Sequence, residues 1–442
     1  MNQQMNAQAW HEDLHFLVEE LPKHHQNLFH TMTRDSFETA VAVLEERIPT
    51  LARHQVIVEM ARIVALIGDG HSRIDLADGP NIGSRRYPLR LYLYSDGLFV
   101  QAAGTDHAQA VGARVVAIGD IEVAQAYARA RQLISRDNEV WVKHVAPGLL
   151  VIPEVLHSLD LIHDMEHAPI TIVKYTGERA TIELRPCAHD APLQWIDAAQ
   201  MDAPTPLWLR APENKFWFTY LRDTHTLYVQ YNSVRDKPEE TIAEFFDKVF
   251  SFADMRQVDR FILDIRRNGG GNGYLNQPII HGLIKRDQIN QPGKLFTIIG
   301  RGTYSAAMML TDDLEKHTRT LFVGEPTGAS PNMYGDAEKI ALPNSGLEVW
   351  ASALHWVYSE PRDRRPWTAP NIHAELSSAD YRARRDPALA AILQHVPSPA
   401  DAETVAFPDR LWREIDPLPE DAERVRRARY VTTPVFANDA ER

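Results

Sequence analysis

Residues 264–273 read Asp264-Ile265-Arg266-Arg267-Asn268-Gly269-Gly270-Gly271-Asn272-Gly273. They close an apolar run over 261–265 whose length and composition predict a buried strand. Glycines at the end of such a strand let the backbone approach a neighbour closely and turn N–H groups inward. Three readings follow: a phosphate cradle, an oxyanion hole, or a tight turn. The lysine and Ser/Thr of a P-loop are missing, as is G-x-G-x-x-G spacing, which argues against the cradle. A turn alone accounts for only some of the glycines.

Working outward, strand-like and helix-like segments alternate between 216 and 395. Strands are predicted over 227–231, 261–265, 295–299 and 321–323, with helices over 239–252 and about 305–316. Apolar strands of this length between helices favour a layered α/β domain. Residues 85–186 have another character. Leu91 and Leu93 alternate with Tyr92 and Tyr94, Ser95-Asp96-Gly97 makes a turn, and 170–175 and 180–184 form a hairpin around Thr176-Gly177. Residues 8–67 read as three helices. Pro22 ends the first, Asp35 and Glu38 form a capping box for the second, and Gly68-Asp69-Gly70 stops the third and presents His71. The proline-rich stretch 187–215 reads as a connector, and 396–442 as a peripheral tail.

The chain has 442 residues, a length that suggests roughly three domains. Its single cysteine, Cys187, forms no internal disulfide, so nothing points to an oxidising compartment. The 47 basic and 60 acidic residues give a net charge of −13, a poor match for a phosphate backbone. The first residues show no basic start followed by an apolar run, and no stretch reaches the roughly 18 apolar residues of a membrane span. The expectation is a cytoplasmic protein that binds neither nucleic acid nor membrane.

Two further segments accompany the glycine loop. Gly302-Thr303-Tyr304-Ser305-Ala306-Ala307 lies between a strand and a helix, and Gly324-Glu325-Pro326-Thr327-Gly328 closes the next strand. A serine at a helix N-terminus can project its hydroxyl outward, with the N–H of Ala306 facing a developing negative charge. The bland alternative is an ordinary N-cap serine. A separate motif, His11-Glu12-Asp13-Leu14-His15, matches the zinc-peptidase pattern H-E-x-x-H, with His11 and His15 as ligands and Glu12 as base. Against it, Trp10, Leu14 and Leu17 form an ordinary packing face.

The order of the three segments resembles the tail-specific (C-terminal processing) serine peptidase family. Its members carry an Asp-x-Arg-x-Asn-x-Gly-Gly strand end, a T-x-S-A serine motif and a G-E-x-T-x-G turn. The match covers about 225–395. The resemblance implies a ClpP/crotonase-like layered α/β catalytic core over 216–395. It also implies a PDZ-like module over 85–186 and an N-terminal helical domain over 1–75 like that of the tricorn-type branch. By the same resemblance Ser305 is the nucleophile of a peptidase that needs no cofactor and acts on polypeptides. The N–H groups of Ala306 and of Gly269 or Gly270 would form the oxyanion hole. The lysine of the bacterial branch is absent from 328–334, so the base falls to His71, although the family's preceding serine is here Gly70. The family's carboxylate aligns with Arg364, leaving Asp363 as the preferred acid and Glu360 as the alternative. Related retinoid-binding repeats keep the fold as carriers, so a non-catalytic binder of small apolar ligands or peptides is the rival reading.

Overall fold

The computed structural model describes residues 5–79, 81–199 and 203–404. A six-stranded sheet runs in the order Phe216–Leu221, Thr226–Tyr231, Arg260–Asp264, Leu295–Ile299, Leu321–Gly324 and Ile372–His373. The first pair is antiparallel and all later neighbours are parallel. Helices cover both faces, so the inner strands must be apolar on both. Leu227, Val229, Tyr231, Phe261 and Leu263 pack against the helices Ile242–Asp254, Gln277–Ile284 and Ala306–His317. Tyr228, Ile262, Phe296, Ile298 and Val323 face the other way, toward Ala388 and Ile392 of the helix Pro387–Gln394. The predicted α/β layered core is therefore present.

The helix expected over 239–252 begins at Ile242. Thr241 caps it, accepting from the Glu244 N–H while the Glu244 carboxylate receives the Thr241 N–H. Three helices open the chain, Ala7–His24, Arg34–Arg47 and Arg53–Ala65. Pro22 lies inside the first rather than ending it; it forfeits one N–H bond of the ladder, and the helix stops two residues later at His24. The second is capped by Thr33, whose hydroxyl accepts from Ser36 N–H, not by Asp35.

A seven-stranded antiparallel sheet follows, built on Leu89–Tyr94, Gly97–Gly104, Arg114–Ile118, Ala168–Val173 and Arg179–Leu184. One apolar cluster runs from the opening helices into this sheet without a break. The stretch expected as a connector contributes to the sheet, because Trp195–Asp197 pairs with Gly97–Gly104 as an edge strand. Sequence reading missed the long hairpin Asn332–Ala341 and Glu348–Val357. Arg73–Ile74 pairs with the hairpin's second strand, Arg73 opposite Trp350, and so delivers the His71 loop to the α/β half. The start of the expected tail is anchored by His395 Nε2 and Asp401 Oδ2, 2.9 Å apart; residues 405–442 lie outside the described residues. Among the described residues no helix is long and apolar enough to cross a membrane.

Candidate active site

Neighbouring parallel strands end at one edge of a sheet, and their following loops therefore meet there. Asp264 stands opposite Ile298, and Ile299 opposite Gly324, so all three motif segments emerge side by side. Hydrogen bonds then lace them together. Thr303 Oγ1 donates to the Ile265 carbonyl, Gly328 N–H donates to the Thr303 carbonyl, and Thr368 N–H donates to Thr327 Oγ1. The charged motif residues also hold the loop: Arg266 reaches Asp264 at 2.8 Å and both oxygens of Asp386 at 3.0 Å.

Buried Asn268 fixes the glycine turn. Its amide donates to the Tyr231 carbonyl at 3.0 Å and its Oδ1 accepts from Gly270 N–H at 2.9 Å. Gly270 has φ +99°, and a Cβ there would stand 2.7 Å from Ser305 Cβ and 2.8 Å from Ala306 N. Only glycine lets the loop sit this close.

Ser305 precedes the helix Ala306–His317 at φ 54° and ψ −126°, a region costly to any residue with a side chain. Its hydroxyl does not cap the helix, so the ordinary use of a serine at this place does not apply. Among the described residues, neither Ala306 N–H nor Gly269 N–H has an acceptor within the protein. Gly270 N–H, the other expected donor, is already given to Asn268.

His71 stands on a loop organised by Asp69, whose Oδ1 accepts from His71 N–H at 3.0 Å, Ser72 N–H at 2.8 Å and Ser352 Oγ at 2.7 Å. His25 Nε2 meets the other oxygen at 2.9 Å. Burial raises the Asp69 carboxyl, but the hydrogen bonds from His25, Ser352 and Ser72 outweigh it and hold the group below the usual carboxylate range. Asp137 accepts from Gly70 N–H at 2.9 Å, and burial pushes its carboxyl up to about 7. Burial likewise pushes the His71 imidazole down to about 4, against the pull of Asp69 and a backbone hydrogen bond with Tyr334.

The His71 ring stacks on Tyr304, with centroids 4.8 Å apart, and Tyr304 stacks on Trp141 at 4.1 Å. Tyr304 Oη lies 3.2 Å from His71 Nδ1. Among the described residues no hydrogen bond joins His71 to Ser305. Asp363 and Glu360 also stand apart from the imidazole. The Asp363 carboxylate is engaged by Arg365 at 2.8 Å and Ser359 at 2.8 Å, and Arg365 continues to Glu315 at 2.8 Å. Glu360 offers its backbone carbonyl to Asn332. A cavity of about 580 Å³, lined by Gly70, Arg73, Trp141, Lys143 and Arg301 among others, opens beside the His71 loop.

The zinc motif is turned to packing. His11 Nε2 meets the Glu45 carbonyl at 3.0 Å and His15 Nε2 the Glu45 carboxylate at 2.8 Å, while Trp10, Leu14 and Leu17 are buried beneath. Among the described residues no three His, Cys, Asp or Glu side chains group as a metal site.

A layered α/β core that carries an uncapped, strained serine at a helix N-terminus is the architecture the chain presents. Its fold is similar to that of CPAF. The structure of mature CPAF complexed with lactacystin overlays with a TM-score of 0.61 at 11% identity, covering 92% of this chain and 99% of that one. Mature CPAF alone gives 0.61 at 13% identity, over 92% and 98%. A photosystem II D1 C-terminal processing protease overlays more loosely, with a TM-score of 0.39 at 14% identity, over 88% of this chain and 98% of that one. No protein-family model and no curated protein sequence matches the chain.

Proposed function

We propose that the chain is a serine peptidase of the tail-specific type, cleaving polypeptides by acyl transfer through Ser305. The observation that carries this is the junction itself: a strained serine whose hydroxyl caps nothing, beside two backbone N–H groups without acceptors. The motif order and the likeness to CPAF support it.

Ser305 Oγ attacks a peptide carbonyl carbon and its proton passes to His71. Ala306 and Gly269 N–H receive the oxyanion; Gly270 shapes the turn. Collapse breaks the C–N bond, His71 returns the proton to the leaving amine, and water then hydrolyses the ester by the same route. A neutral imidazole is the form required, and burial keeps His71 neutral down to about pH 4. Its ring comes within reach of Ser305 when substrate fills the site, a tightening common in catalytic hydrogen bonds. The test is labelling with a fluorophosphonate probe. The parent labels and Ser305→Ala does not; equal labelling of both removes Ser305 as nucleophile. A parent silent to probe and to unfolded polypeptides favours the binder reading.

A further inference from the structure

The cavity of about 580 Å³ beside the His71 loop is basic in a chain that is acidic overall. Arg73, Arg86 and Arg90 all line it, and among the described residues none of the three has a carboxylate partner. Arg73 donates to the His71 carbonyl at 3.1 Å and Arg86 Nη2 to the Ala191 carbonyl at 2.7 Å. Arg86 and Arg90 both lie over the Trp195 ring, with guanidinium carbons 5.5 and 4.2 Å from its centroid, so one indole fixes both groups. Two other cations of the wall are already answered, Lys143 by Glu375 and Arg301 by Glu325. Asp75, the acidic residue in the wall, turns back to accept from Ala77 and Asp78 N–H. Arg86 Nε is buried with no acceptor among the described residues, and a buried charged donor left empty is costly. We propose that this cavity binds acidic side chains of a polypeptide substrate, with Arg73, Arg86 and Arg90 as its specificity-determining residues.

The position of the cavity selects a polypeptide over a small free anion. Gly70 and Arg73, on either side of His71 in the chain, form part of its wall, as does Trp141, whose ring stacks on Tyr304 next to Ser305. A chain held at Ser305 therefore has this space beside it. A second cavity of about 680 Å³ adjoins the first, for the two share Arg90, Tyr92 and Gln101. It adds Arg267, whose one hydrogen bond among the described residues goes to the Trp208 carbonyl at 3.4 Å. Much of the remaining wall of the first cavity is apolar, with Leu76, Leu89, Leu91 and Leu149. Two adjoining cavities that mix basic and apolar walls suit an extended chain carrying both acidic and apolar side chains.

In the bound state, carboxylates of the substrate accept from Arg86 Nε and from the Arg90 guanidinium, while neighbouring aliphatic side chains lie on the leucines. Such charge-assisted bonds are geometrically selective, and the indole beneath holds the donors ready before substrate arrives. The preference is for side-chain carboxylates, so it survives when the end of the bound chain carries no charge. The three arginines act on binding and selectivity and take no part in the acyl transfer itself.

This inference rests on the peptidase reading, and binding and labelling of the full chain separate the two. The probes are a fluorescein-labelled peptide of alternating glutamate and leucine, the same peptide with an amidated C-terminus, and its counterpart with glutamine for glutamate. Anisotropy is read on Ser305→Ala, which holds peptide without cutting it. The glutamate peptide binds about tenfold tighter than the glutamine one, the factor one charge-assisted hydrogen bond sets, and the gap closes as salt rises. Amidation leaves the gap in place. Arg86→Gln and Arg90→Gln in the same background each narrow it about threefold, the scale of a partly exposed ion pair. Arg90 is exposed, so Arg90→Glu stands in if Arg86→Gln fails to fold, and it turns the preference toward a peptide of lysine and leucine. Equal binding of the glutamate and glutamine peptides, a preference that amidation abolishes, or one that every arginine variant keeps in full overturns the inference. So does saturable binding of citrate without discrimination between the peptides, which assigns the cavity to a small anion. A parent silent to fluorophosphonate, with the glutamate preference intact, sinks the peptidase reading and leaves the acid-binding cavity standing.

Discussion

Ser305 stands on a junction laced together by the loops of neighbouring parallel strands, whereas His71 stands on a loop held by side chains from distant parts of the chain. Around Ser305 the supporting groups are Asn268, Gly270, Thr303 and Thr327, all on loops that follow adjacent strands. Around His71 they are His25, Asp137 and Ser352, which belong to an opening helix end, a loop between two helices and a late hairpin. The first half is set by the order of neighbouring strands, the second by one short strand pairing and by side chains brought from distant parts of the chain. The Ser305 half should therefore fail by steric intrusion, and the His71 half by loss of a single polar partner.

Gly270→Ala tests the first half most severely. Its Cβ would stand 2.7 Å from Ser305 Cβ at a φ of +99°, so the turn must move away from the serine. Labelling of Ser305 falls by about a hundredfold or more, comparable to losing an oxyanion donor; a parental rate in a folded variant would break the comparison. Asp69→Ala tests the second half. It strips His25, Ser352 and two backbone N–H groups of their acceptor, and the urea midpoint falls by an amount worth about 2 kcal/mol. The labelling rate falls with it, since His71 loses its frame.

The smallest effect is that of pH. His71 titrates at about 4 when folded, below its ordinary 6.5, so the unfolded chain binds the proton more readily. Its contribution to stability is fully present above about pH 6.5 and is lost as pH falls toward 4. Urea titrations at pH 7 and 4.5 should show a smaller loss for His71→Gln than for the parent.

The same division explains what could be read in advance. The parallel strands, the glycine turn and the strand-to-helix junction at Ser305 were legible because each is written locally, as a buried apolar run or a run of glycines after one. The framing of His71 was not. His25 and Asp69 are 44 residues apart, and His71 and Tyr304 are 233 apart, and no local pattern carries such a pairing. Tyr304 lies within the segment 302–307, yet nothing in that segment shows what its hydroxyl faces. The carboxylate two residues before His71 was the one usable signal, since a short acidic side chain commonly accepts from N–H groups just after it. The hairpin 332–357 was missed because Asp336, Glu338 and Lys339 interrupt its first strand's apolar alternation.

The glycine at position 70 has a consequence for descent. Because Tyr304 Oη fills the volume that a Cβ there would claim, neither position can drift alone. A lineage that acquires a serine at 70 must first surrender the tyrosine at 304. Such lineages should separate into two sets, glycine with tyrosine or serine with a smaller residue, and the crossed combination of serine with tyrosine should be rare.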